Sequence, residues 1–131
     1  MNGAERRLSW WLRVTGVGYA LGAADFVARP WAATASLNRL GGERLDTEPA
    51  GVYNSLAASY MATIATVALS AATDPSNKRA LLPPLLVAKA ASSGVLGYRF
   101  LTTRKRGYAT GAVLDACLLA VTAGLYAALD G

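Results

Sequence analysis

Apolar residues fall into four blocks of about 20 along this 131-residue chain, and short polar segments separate them. The blocks cover about residues 8–28, 50–72, 80–101 and 108–129, and the polar segments hold most of the charge. A helix needs roughly 20 apolar residues to cross a hydrocarbon core about 30 Å thick. The pattern therefore predicts an all-α, polytopic membrane protein. Its four transmembrane helices would form a compact antiparallel bundle, because short connections make sequential helices neighbours.

The longest polar segment, residues 29–49, contains the stretch "WAATASLNRL", whose apolar residues share one side. This predicts a short helix lying in the membrane interface. The first block follows two arginines, as in a signal peptide, but it is long, contains Asp25 and lacks a cleavage site. We expect it to be a retained first span. Residues 1–131 are accordingly predicted to form a single integral membrane domain.

The composition supports a membrane location. The chain is 53% hydrophobic and 16% charged, whereas soluble domains average about 25% charged residues. Its mean hydropathy is +0.30. The net charge of +5 comes from arginines and lysines near the ends of the apolar blocks, where such side chains contact lipid headgroups. We therefore expect membrane lipid as a partner, and no binding of nucleic acid.

Side chains with reactive groups are scarce. The chain has no histidine, and its single cysteine, Cys117, lies within an apolar block. The usual ligands of transition metals, haem and iron–sulfur clusters are therefore missing, as is histidine-based acid–base chemistry. We expect no metal, no cofactor and no enzymatic activity. An enzyme acting on a lipid or quinone would need Asp25 and Asp115 as its acid–base pair, and no motif supports that alternative.

Small residues recur at helical spacing in three of the blocks. They are Gly18 and Gly22 in the first block, Ser59 and Thr66 in the second, and Ala116, Ala120 and Gly124 in the fourth. Small side chains allow two membrane helices to approach closely, so these faces predict helix–helix contacts. For the hydroxyl-bearing face of the second block, the lining of a polar path is the alternative.

Ionisable residues inside the blocks predict an intramembrane polar network. A charge facing lipid at mid-span costs roughly 2.5–3.5 kcal/mol, so we expect these residues to face the bundle interior and to have partners. A helical rise of about 1.5 Å per residue puts Lys89 and Asp115 at depths close enough for an ion pair. The predicted network consists of Asp25, Asn54, Lys89, Ser92, Arg99 and Asp115. It would either fix the helix register or form a binding site or proton-carrying site.

Two functions from different classes remain open at this level. The first is a non-catalytic structural or accessory subunit of a larger membrane protein complex, because the small-residue faces exceed what one bundle needs. Its partners would be other membrane subunits or further copies of this chain. The second is a small dimeric transporter or carrier in which an intramembrane aspartate couples the transport step.

The location that these predictions imply is the cell membrane, with several passes. The surplus of basic residues around the turn between the third and fourth spans favours a cytoplasmic position for that turn. The arginines that precede the first span favour the opposite orientation. We expect the cytoplasmic position for the basic turn.

Overall fold

The computed structural model describes residues 1–29, 39 and 51–129. The helices of this described part are α1 (Gly3–Ala28), α2 (Gly51–Thr73), α3 (Leu82–Thr103) and α4 (Arg106–Ala127), with a 3₁₀ turn (Arg79–Leu81) before α3. The described residues form no strand, which confirms the all-α prediction. Apart from Arg29 and Arg39, the connector with its predicted interfacial helix lies outside the described residues.

The helices form a four-helix bundle in which each packs antiparallel to its sequence neighbour, and α4 closes against α1. A side-chain hydrogen bond marks each of the four contacts. The bonds join Ser9 to the Ala72 carbonyl at 2.6 Å, Tyr60 to the Ala88 carbonyl at 2.8 Å, Ser93 to the Ala112 carbonyl at 2.9 Å, and Trp11 Nε1 to Thr122 Oγ1 at 2.9 Å. The pairs α1–α2 and α3–α4 make the more extensive contacts.

The N-terminus of α1 is fixed by a capping box. The Glu5 amide donates to Asn2 Oδ1 at 2.9 Å, and the Asn2 amide donates to the Glu5 carboxylate at 2.6 Å. These bonds satisfy backbone groups that the first helical turn leaves without partners. The Glu5 carboxylate also accepts a hydrogen bond from the Ser76 hydroxyl. The start of α1 is thereby joined to the turn between α2 and α3.

The two prolines of α3, Pro83 and Pro84, lie in its first turn, at the N2 and N3 positions. A missing amide hydrogen does little harm there, because the first amides of a helix have no intrahelical partner. At its other end, α3 stops at Arg104, which adopts a left-handed conformation with φ 58°. The Arg104 amide donates to the Phe100 carbonyl at 2.7 Å. This cap turns the chain into α4 within two residues.

The centre of the bundle combines leucines from α1 and α3 with alanines from α2. The core residues are Leu8, Leu12, Ile64, Ala68, Ala71, Ala72, Leu82 and Leu85. Gly16 is buried against α2, and a Cβ atom on Gly16 would lie 2.8 Å from Leu69 Cγ. The small side chains of α2 and the absent side chain of Gly16 therefore permit the close approach of α1 and α2.

Within the described residues, two helical segments are long and apolar enough to cross a membrane: Arg79–Thr103 and Arg106–Ala127. The prediction of four such helices is thus met only in part. Arg13 and Asp25 lower the hydropathy of α1. In α2, the apolar segment with described side chains, Ala57–Thr73, has 17 residues.

Candidate functional site: a buried lysine–aspartate cluster

The ammonium of Lys89 is the charge buried at the centre of the bundle. Its Nζ lies 2.8 Å from Asp115 Oδ1, which joins α3 to α4. The Lys89 side chain is 5% exposed and the Asp115 side chain 15%. Lys89 lies about 10 Å along α3 from its first residue, and Asp115 about 14 Å along the antiparallel α4. The two side chains therefore meet near the middle of the bundle.

Tyr19 of α1 completes the coordination of this ion pair. Lys89 Nζ donates to the Tyr19 hydroxyl and also lies 4.1 Å from the centroid of its ring. The Tyr19 hydroxyl in turn donates to Asp115 Oδ1 at 3.3 Å. A cation over an aromatic face is attracted by the ring quadrupole, more strongly when water is excluded. One tyrosine thus stabilises the ammonium through both its ring and its hydroxyl.

Ser92 supplies the remaining polar contact of the cluster. It lies one turn after Lys89 on α3 and donates its hydroxyl hydrogen to Asp115 Oδ2. Both carboxylate oxygens therefore accept hydrogen bonds, and the opposite charge lies alongside. Among the described residues, no buried side-chain nitrogen or oxygen lacks a hydrogen-bond partner. The opposite charges of the cluster lie side by side and each buried polar atom has a hydrogen-bond partner, which is the condition under which a buried ion pair is tolerated.

The space beside the cluster is small. The cavity that borders Lys89 and Tyr19 has a volume of about 10 Å³ and receives side chains from all four helices. That volume is at the lower limit for a single water molecule. This cavity is too small to hold a substrate beside the Lys89 ammonium.

Two residues of the predicted network, Asp25 and Arg99, lie outside the cluster. Asp25 accepts a hydrogen bond at 2.7 Å from Arg29 on the same helix, at the exposed end of α1. Arg99 is exposed on α3 and takes no part in the hydrogen bonds that Asp115 makes with described residues. Asn54 lies outside the residues whose side chains are described. The structure therefore brings together Lys89, Ser92 and Asp115 and leaves Asp25 and Arg99 outside.

Most of the predicted packing residues lie on the outer surface of the bundle. The exposed ones are Gly18, Ser59, Thr66, Ala116, Ala120 and Gly124. A Cβ atom on Gly18 or Gly124 would meet no other atom within 4 Å, whereas one on Gly22 would meet Met61 of α2. The Thr66 hydroxyl donates to the Ala62 carbonyl of its own helix at 2.9 Å. Of the predicted set, Gly22 alone approaches a described neighbouring helix closely.

Sequence reasoning missed two residues that shape the site. Tyr19 follows Leu8, Leu12 and Thr15 at intervals of four, three and four, so helical periodicity places it on the inward face of α1. That spacing could have identified it as a partner for the buried charges. Gly16, which is buried against Leu69 of α2, belongs to no GxxxG pair. No short motif distinguished it from the other glycines of α1.

The described part of the chain contains no group of three His, Cys, Asp or Glu side chains that could hold a metal ion. Comparison with family models, curated proteins and solved structures gave no match to this chain. The features that bear on function are therefore the Lys89–Asp115 cluster and the outer surface of the bundle.

Proposed function

We propose that the chain is a four-span integral membrane protein that serves as a non-catalytic structural or accessory subunit of a larger membrane protein complex. The proposal depends on the distribution of apolar side chains, on the neutralised charge cluster inside the bundle, and on one outward-facing helix surface. Each of these features is a property of the described residues.

The outer surface of the bundle is apolar. Exposed side chains on α1, α3 and α4 include Val14, Val17, Leu21, Val87, Val95, Leu101, Val113, Leu114 and Val121. In the most apolar 18-residue stretches of α3 and α4, only 17% and 11% of the residues are buried. The core helix of a soluble protein would be mostly buried, and large exposed apolar surfaces are uncommon in soluble monomers. Lipid is the solvent that suits such a surface.

The observation that carries the subunit role is the outer face of α4. Ala116, Ala120 and Gly124 are exposed and recur every fourth residue, and Gly124 has open space in front of it. Small residues at this spacing allow a second membrane helix to pack closely. In the described part of the chain, these three residues remain exposed and no helix packs on them. Lys89 and Asp115 neutralise each other inside the bundle. This favours a structural role for the two side chains over a role in carrying a proton or a substrate across the membrane.

The test compares leucine substitutions at two glycines, Gly124 and Gly94, where an added Cβ atom would meet nothing within 4 Å. Gly124→Leu would block the α4 face, and Gly94→Leu adds the same side chain on α3, where a Cβ atom also meets nothing within 4 Å. Membranes from the native host would be solubilised in a mild detergent and separated on a native gel. We expect the wild type and Gly94→Leu to migrate in a complex larger than the chain, and Gly124→Leu to migrate free. A wild type that migrates alone would contradict the proposal.

The second candidate is a small dimeric carrier, which the partial exposure of Asp115 favours. Its side chain is 15% exposed, against 5% for Lys89, so the carboxylate is the more accessible member of the pair. A carrier of this kind would show pH-dependent substrate flux in liposomes, and Asp115→Asn would abolish that flux. Flux that survives the substitution would exclude the carrier mechanism.

The orientation that we propose places the turn between α3 and α4 in the cytoplasm. Arg104, Lys105 and Arg106 follow one another at this turn, and basic loops are retained on the cytoplasmic side. A Thr103→Cys variant with Cys117→Ser would be labelled by a membrane-impermeant maleimide only after cells are permeabilised. Labelling of intact cells would reverse the orientation.

A further inference from the structure

An apolar groove of about 320 Å³ lies along α1 at the surface of the bundle. Its wall comes mainly from Trp11, Val14, Gly18 and Tyr19 of α1, and Leu118 of α4 and Met61 of α2 complete it. Gly18 is exposed, and a Cβ atom at this position would meet nothing within 4 Å. The absent side chain of Gly18 therefore keeps the groove open.

The polar atoms along the groove already have partners inside the protein. The Thr15 hydroxyl donates to the Trp11 carbonyl at 2.9 Å, and the Trp11 indole donates to Thr122 at 2.9 Å. The Tyr19 hydroxyl is engaged by the buried ion pair. Little hydrogen-bonding capacity faces the groove, so its chemistry selects a hydrocarbon occupant.

An exposed cation, Arg7, lies one helical turn before the first groove residue of α1. Arg7 is exposed, and it precedes Trp11, Val14 and Gly18 at intervals of four, three and four, which places it on the same side of α1. The carboxylates in the ion pairs of the described chain are those of Glu5, Asp25 and Asp115, and none of them pairs with Arg7. A guanidinium in this position is complementary to a phosphate, which it can bind with two hydrogen bonds.

We propose that this groove binds one acyl chain of an anionic phospholipid, with the phosphate held by Arg7. The proposal rests on the membrane location proposed above and not on the subunit role. The groove wall is apolar and its polar atoms are already paired, which suits a hydrocarbon chain because such a chain forms no hydrogen bonds. The charge of Arg7 then selects an anionic headgroup over a zwitterionic one.

The experiment measures lipid retained by the purified chain. Wild type and variants in a mild detergent would be titrated with phosphatidylglycerol or phosphatidylcholine and analysed by native mass spectrometry. Gly18→Leu fills the groove, and Gly94→Leu is its control. Arg7→Gln removes the cation at the groove, and Arg6→Gln removes an exposed arginine that points about 100° away around α1.

We expect the wild type to retain phosphatidylglycerol in preference to phosphatidylcholine. Gly18→Leu should lower the retention of both lipids, and Gly94→Leu should not. Arg7→Gln should lower phosphatidylglycerol retention about fivefold, as for the loss of one basic side chain at an anionic headgroup, and should leave phosphatidylcholine unchanged. Arg6→Gln should have little effect on either lipid.

Two outcomes would overturn the proposal. Unchanged lipid retention in Gly18→Leu would mean that no lipid occupies the groove. A loss of oligomer mass in Gly18→Leu at constant lipid retention would mean that a protein partner occupies it. Failure of the subunit proposal would appear separately, in the Gly124→Leu comparison, because Gly124 does not line this groove.

Discussion

Lys89 Nζ of α3 lies 2.8 Å from Asp115 Oδ1 of α4, and both groups are inside the bundle. A buried ion pair adds little net stability, but removing one partner leaves an uncompensated charge and costs roughly 3–5 kcal/mol. Asp115→Leu should therefore lower the free energy of unfolding by several kcal/mol. The double variant Lys89→Met with Asp115→Leu should recover much of that loss.

These variants would be compared by thermal or denaturant unfolding in detergent. The hydroxyls of Tyr19 and Ser92 lose their acceptor in the double variant, so recovery should be incomplete, by about 1–3 kcal/mol for each group left unsatisfied. A double variant no more stable than Asp115→Leu alone would show that the two charges do not interact in the folded protein.

Tyr19 offers a way to separate its two contacts with Lys89. Tyr19→Phe removes the hydroxyl but keeps the ring 4.1 Å from the ammonium, and should cost about 1 kcal/mol. Tyr19→Leu removes the ring as well and should cost about 0.5–2 kcal/mol more. Both would be measured by unfolding in detergent. Equal stabilities of the Phe and Leu variants would show that the aromatic ring contributes nothing to holding the cation.

Substitution by alanine should change the stability of the protein in opposite directions at Gly16 and Gly18 of α1. A Cβ atom on Gly16 would lie 2.8 Å from Leu69 Cγ, whereas one on Gly18 meets open space. Gly16→Ala should destabilise the protein by about 1–3 kcal/mol through overpacking. Gly18→Ala should stabilise it by about 0.5–1 kcal/mol, because alanine favours the helix. A higher melting temperature for Gly16→Ala than for Gly18→Ala would contradict the prediction. It would mean that α2 packs against the Gly18 side of α1.

Two carboxylates at one end of the bundle predict acid sensitivity. The Ser76 hydroxyl and the Asn2 amide lower the pKa of Glu5 below its usual value, and the side chain and amide of Asn77 lower the pKa of Asp74. A carboxylate whose pKa is lowered in the folded state stabilises the fold above its unfolded pKa. That contribution is lost as the pH falls through the folded pKa.

We therefore expect the melting temperature to hold from neutral pH to about pH 5 and to fall below about pH 4, near the unfolded values for aspartate and glutamate. Ser76→Ala removes the strongest influence on Glu5 and should reduce this decrease, with Thr103→Ala as a control at the opposite end of the bundle. An identical acid profile in Ser76→Ala would contradict the role assigned to this hydrogen bond.

The sequence alone predicted the helices closely. The segments predicted at about 80–101 and 108–129 correspond to α3 and α4, because their predominantly apolar residues and the prolines near the start of α3 define them locally. Small-residue spacing was a weaker guide to contacts. It marks a face where a helix can approach, and nothing in the pattern says whether the approaching helix belongs to the same chain. Gly16 and Gly18 differ by two residues and have opposite environments.

Local pattern thus determined the helices and the need for Lys89 to have a partner, since an unpaired ammonium inside an apolar helix is too costly. The tertiary structure selected the partners. Asp115 reaches Lys89 because α4 packs against α3. Tyr19 reaches Lys89 across the centre of the bundle, from the helix diagonally opposite α3, whereas Asp25 bonds to Arg29 one turn away. Helix periodicity depends on neighbours in sequence, whereas ion pairing across the bundle depends on the rotation of each helix about its axis, which packing decides.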